Sequence, residues 1–223
     1  MNRRRATGFT LIELLIVIAV IGILAGMLIP AVALIRETAR KSACGSNQRQ
    51  IVMEMIAYST ETKYWPGTLD ASQVPVPTSG AAALQLMFGR IDDDVQAYVC
   101  PSDPAAATKR KALQDLPMIV PGTPTWTPGM TSYAYDLDIP LLAKPVRVVM
   151  ADDKDSSHLT NHNKFIKSTI AAFADGHIAT LTRNSTNQYP NPDADDADIY
   201  CPLTGGTYTP SDPSHVTRAD VRR

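Results

Sequence analysis

From Leu14 to Ile35 the chain reads LLIVIAVIGILAGMLIPAVALI, without one charged residue. A run of that length crosses the hydrocarbon core of a bilayer as a helix. Arg3, Arg4 and Arg5 precede it, and Arg36, Arg40 and Lys41 follow it. The compact leading cluster is expected to stay in the cytoplasm, which puts the C-terminal body on the far side of the membrane. A secretory signal peptide is the competing reading, with "AGMLIPAVA" as its cleavage region and a mature start near Ala31 or later. Two features oppose it: a carboxylate, Glu13, stands at the entrance of the run, and the helical pattern continues past Ile35.

A carboxylate in an apolar helix is expensive, and such groups normally mark a pairing with a cation. If the chain is cut after Gly8, the new α-amino group of Phe9 lies one helical turn from Glu13. That amine, or the same amine of a neighbouring subunit, can neutralise the carboxylate.

The stretch "GFTLIELLIVIAVIGILAGMLIP" resembles the leader and first helix of type IV prepilins and type II secretion pseudopilins. The resemblance implies cleavage by a prepilin peptidase after Gly8 and N-methylation of Phe9. It implies that Glu13 guides filament assembly by pairing with the amine of an adjacent subunit, and that Pro30 kinks the helix. It also implies identical and related pilin-like subunits and an inner-membrane assembly platform as partners.

Beyond the membrane the helical pattern continues to about Thr62, with Ala43, Ile51, Met55 and Tyr58 close to one face and Val52 and Ile56 beside them. Arg40, Lys41, Gln48, Arg49 and Glu54 are expected on the other side. "YWPGTLD" ends the helix. "AAALQLMFGR" reads as a short helix, "VQAYVC" as strand-like, and "PMIVPGTPTWTPG" as irregular. Strands are expected in "TSYAYDL", "VRVVMAD" and "STIAAFADGHIATLTR", the last folding as a hairpin at Asp175-Gly176. The polar tail after Arg183 is expected to wrap as loops.

The fold class is therefore α+β and pilin-like: a long N-terminal helix packed on a small antiparallel sheet with long loops. The expected divisions are a leader at 1–8, a membrane helix at 9–35, its amphipathic continuation at 36–62 and an exported globular domain at 63–223. "ACGSNQRQI", "YWPG", "CPSDP", "TSYAYD", "VVMADD" and "NHNKF…FADGHIATL" resemble prepilin-like proteins with a His…Asp-Gly-His ending. His162 lies farther before Asp175-Gly176 than in that pattern, so no role is assigned to it.

A net charge of -1 over 223 residues gives no field for nucleic acid, and none is expected as a partner. Asp193, Asp195, Asp196 and Asp198 in "NPDADDADIY" bring hard oxygens to one loop, as calcium prefers, while the EF-hand glycine and glutamate are missing. A solvated acidic loop is the default; the resemblance to major pseudopilins, which hold calcium in a C-terminal loop, raises the metal reading without displacing that default. Asp152, Asp153 and Asp155 form a weaker cluster. His158, His162, His177 and Asp175 carry no catalytic signature, and no enzyme activity is expected. Cys44, Cys100 and Cys201 include no CxxC pair, which argues against a zinc ribbon. A Cys44–Cys100 bridge is favoured over Cys100–Cys201, with three unpaired thiols equally open.

The chain thus reads as a filament subunit of a secretion pseudopilus. A surface type IV pilin and a membrane-anchored binding or metal-dependent enzyme domain are the alternatives.

Overall fold

The computed structural model describes residues 10–67, 80–88, 90, 95–116, 126–127, 129–136, 139, 143, 145, 147–152, 161–162 and 167–183. The chain divides into two compact units, Met1–Ala39 and Arg40–Arg223.

One helix, α1 (Leu11–Thr62), runs unbroken through Pro30. Its N-terminal part leaves Leu11, Ile12, Leu14, Leu15, Met27 and Ile29 exposed. So much uncovered apolar surface fits a segment whose solvent is lipid. At its far end Lys63 takes a left-handed φ of 69°, and its N–H returns to Ser59 O at 2.9 Å. That residue closes the helix as a C-terminal cap.

Within the second unit, α1 buries Cys44, Gln48, Ile51, Val52 and Met55. These positions follow the helical repeat and form one stripe. The expected stripe is thus confirmed at Ile51, Val52 and Met55. It is corrected at Ala43, which is exposed, and at Gln48, which lies inside. The glutamine turns inward because it stands one turn from Cys44 and its amide meets a buried carboxylate.

The sheet is an antiparallel meander in the order β1 (Tyr133–Tyr135), β2 (Val148–Asp152), β3 (Ser168–Phe173) and β4 (Ile178–Thr182). All four lie in the runs expected to be strands. β1 to β3 are buried throughout, whereas β4 exposes Thr180 and Thr182 as an edge strand does. The register shifts between Val148 and Met150 where β2 meets β3. The bulge lets Val149 and Met150 both join the main core while Val148 and Ala151 join the cluster with Phe173 and Leu181.

The β3–β4 hairpin turns where expected. Gly176 N–H bonds Phe173 O at 2.9 Å, Phe173 N–H bonds His177 O at 3.0 Å, and Gly176 has φ 88°. α1 crosses this region, since a Cβ on Gly45 would meet Ile178 and Ile170 at 3.6 and 3.8 Å.

Three short helices complete the described body: α2 (Gly80–Gln85), a 3-10 helix (Val95–Tyr98) and α3 (Ala106–Gln114). The 3-10 helix replaces the strand expected from "VQAYVC". Residues at i and i+3 eclipse in a 3-10 helix, so Val95 and Tyr98 reach the core together. Tyr98 meets Trp126 edge-on at 4.9 Å, and Phe88 lies 5.6 Å from the same indole. α3 has no counterpart among the elements expected from the sequence.

Candidate functional site

Among the described residues, two places concentrate functional chemistry: the start of α1 and the buried side of the sheet. At the start of α1, Thr10 and Glu13 bind each other reciprocally. The Thr10 backbone N–H and hydroxyl donate to Glu13 Oε2 at 2.8 and 2.6 Å, and the Glu13 N–H donates to Thr10 Oγ1 at 3.3 Å. This is a capping box, which satisfies amide donors left without partners in a first helical turn. Its signature, Thr-x-x-Glu ahead of an apolar run, is present in "TLIE" and escaped the reading that paired Glu13 only with an N-terminal amine, its own or a neighbouring subunit's. Gly8 and Phe9 lie outside the described residues.

On the buried side, four elements bring Cys44, Cys100, Asp152 and His162 together. Cys44 sits on α1, Cys100 two residues after the 3-10 helix, Asp152 at the end of β2, and His162 in a turn. Pairing of Tyr133 with Asp152 sets the β2 carboxylate on the tyrosine's face. Asn161 donates to Ser132 O at 2.8 Å, which ties the turn carrying His162 to the start of β1. Ser132 N–H in turn bonds Tyr98 O at 3.1 Å, which holds the segment carrying Cys100.

The four ligating atoms lie within 4.8 Å of one another, and all four residues are buried. Cys44 Sγ is 3.3 Å from Asp152 Oδ1, Cys100 Sγ is 3.5 Å from His162 Nε2, and His162 Nε2 is 3.6 Å from Asp152 Oδ2. Gln48 Nε2 donates to Asp152 Oδ1 at 2.9 Å, and the Ile170 N–H donates to Oδ2 at 2.9 Å. The Tyr133 hydroxyl stands 3.6 Å from Cys44 Sγ. Burial raises the Asp152 carboxyl above its usual range, against the opposing pull of His162. Burial also pushes the Cys44 thiol well up. At Cys100 burial acts in the same sense, but hydrogen bonds with Cys44 and His162 outweigh it and hold that thiol below its ordinary value.

The two cysteines expected to form a bridge are thus brought into one cluster, where both are free thiols. His162 belongs to this cluster. Asp175 and His177 instead form an exposed pair at the hairpin, 2.6 Å apart, with the imidazole stacked on Phe173. Asp193, Asp195, Asp196, Asp198, Cys201, His158, Asp153 and Asp155 lie outside the described residues. Sequence reasoning missed the four-residue cluster because its members come from separate elements with no local spacing to betray them.

A long apolar N-terminal helix leading to a small four-stranded antiparallel sheet defines an α+β, pilin-like architecture. Within it, residues 3–29 match the family model of the prokaryotic N-terminal methylation motif. Motif and helix together are consistent with a prepilin-like protein anchored by a single apolar helix. Comparison with curated proteins and with solved structures gave no match.

Proposed function

We propose that the chain is the precursor of a filament subunit in a type II secretion pseudopilus. Prepilin peptidase removes Met1–Gly8 and methylates the new N-terminus at Phe9. The subunit waits in the inner membrane with its body on the periplasmic side. The assembly platform then stacks it with identical and related subunits, and the Phe9 amine of one subunit neutralises Glu13 of another.

The observation that supports the pilin-like part of this reading is the match of residues 3–29 to the methylation motif, on a helix whose apolar side chains are uncovered. Such a surface needs lipid before assembly and other helices after it. The capping box suits both stages. It engages the carboxylate locally in the lone subunit and leaves a negative group for an amine to compete for.

The mass of the N-terminal peptide from cells tests the processing step. A peptide beginning at methylated Phe9 is expected, and a start at Met1 or near Ala31 overturns the reading. Deleting the gene then separates pseudopilus from surface fibre: secretion is expected to fail while twitching and adhesion persist.

A further inference from the structure

We propose that Cys44, Cys100, Asp152 and His162 bind one zinc ion as a closed structural site in the core of the body. The first argument is geometric. A tetrahedron with metal–ligand distances of about 2.0–2.3 Å has edges of about 3.3–3.8 Å. Three of the ligand–ligand separations are 3.3, 3.5 and 3.6 Å, and all fall within 4.8 Å. Small side-chain adjustments bring the set onto one metal. Hydrogen bonding among the four groups brings them to the spacing that a tetrahedral ion requires.

The second argument is chemical. Two sulfurs, one imidazole and one carboxylate suit a borderline-soft ion that prefers four-coordination, and do not suit calcium or magnesium, which take oxygen ligands. All four positions come from buried protein groups, so no ligand position is left for a substrate. That is the pattern of a structural site. A divalent ion also answers the cost of a fully buried carboxylate beside two thiols. On binding, both thiols lose their protons to solvent, leaving three anionic ligands against the two positive charges of the ion.

The third argument is the surrounding shell. Gln48 and the Ile170 N–H hold both oxygens of Asp152, and the Tyr133 hydroxyl faces Cys44. Metal ligands are normally oriented by such outer hydrogen bonds. The site would fasten α1 to β2, the segment after the 3-10 helix and the turn at His162. The proposal is independent of the filament reading, since it concerns the body alone.

The test uses the full chain, purified in detergent without chelator, with metal content measured by mass spectrometry. One zinc per chain is expected. Exchange for cobalt should produce thiolate-to-cobalt charge-transfer bands with the intense visible bands of a tetrahedral centre. Cys100→Ser should abolish the charge-transfer pattern of a two-sulfur site. Gln48→Ala, which removes only a positioning contact, should keep the bands and weaken binding about tenfold. The wild-type cobalt spectrum needs no variant to fold. A reduced wild-type chain that takes up neither zinc nor cobalt overturns the proposal. So does a chain whose natural state is a Cys44–Cys100 disulfide, seen as a cross-linked peptide with an intact mass two hydrogens below the reduced form.

Discussion

Thr10 and Glu13 satisfy each other at the first turn of α1, with the Thr10 hydroxyl 2.6 Å from the Glu13 carboxylate. The glutamate therefore has a local capping role in addition to the proposed intermolecular one, and the two are separable. Glutamine also serves at the third position of a capping box. Glu13→Gln should keep the helix start and membrane insertion while removing the charge that an amine would meet. Filament yield by shearing and immunoblot is expected to collapse in Glu13→Gln. Normal yield would show that capping alone is needed.

Gly176 carries the positive φ of the β3–β4 turn, at 88°. Gly176→Ala should destabilise the body by about 1–2 kcal/mol through backbone strain. The added Cβ would also lie 2.7 Å from Met53 Sδ, but Met53 is 51% exposed and can swing aside. Thermal unfolding followed by circular dichroism checks this. Gly176→Asn should cost less, because asparagine tolerates the left-handed region.

Met55 is fully buried on the inner stripe of α1. Met55→Ala should cost about 2–5 kcal/mol, the usual range for emptying a large core side chain. Met53→Ala, two residues away and half-exposed beside the Gly176 turn, should cost much less than Met55→Ala. Denaturant titrations of the two variants side by side test the helix face.

Asp175 is held below the ordinary carboxylate range, first by accepting the His177 backbone N–H and then by the His177 side chain. A depressed folded pKa contributes stability above the unfolded value of about 3.9, and that contribution is lost as pH falls through the folded value. Asp175→Asn should therefore melt below wild type at neutral pH, with the gap closing below about pH 4. The pair is exposed, so the gap should be small and should shrink with salt. Melting curves between pH 3 and 7 decide it, and a gap that widens in acid would contradict the assignment.

Much of the architecture was legible because its signals are local. The end of α1 followed from "YWPG", the β3–β4 hairpin from Asp-Gly between two β-branched runs, and the four strands from their composition. α3 escaped although "AATKRKALQ" is rich in helix formers, since it follows a proline-marked turn directly. "VQAYVC" misled because β-branched and aromatic residues mark strands only weakly. Its burial at Val95 and Tyr98 is what the 3-10 turn serves. Gln48 misled because polarity alone put it outside, while its hydrogen-bond partner sits on β2.

Consecutive residues were enough to determine the apolar helix and the methylation motif, and they carry the overlooked capping threonine too, because each depends on spacing within a few helical turns. The meeting of Cys44, Cys100, Asp152 and His162 was decided only in three dimensions. It requires the bulge in β2 and its pairing with β1 to orient Asp152, and α1 to cross the sheet at Gly45. No stretch of chain contains that information, because side chains far apart in sequence converge only after the core has packed.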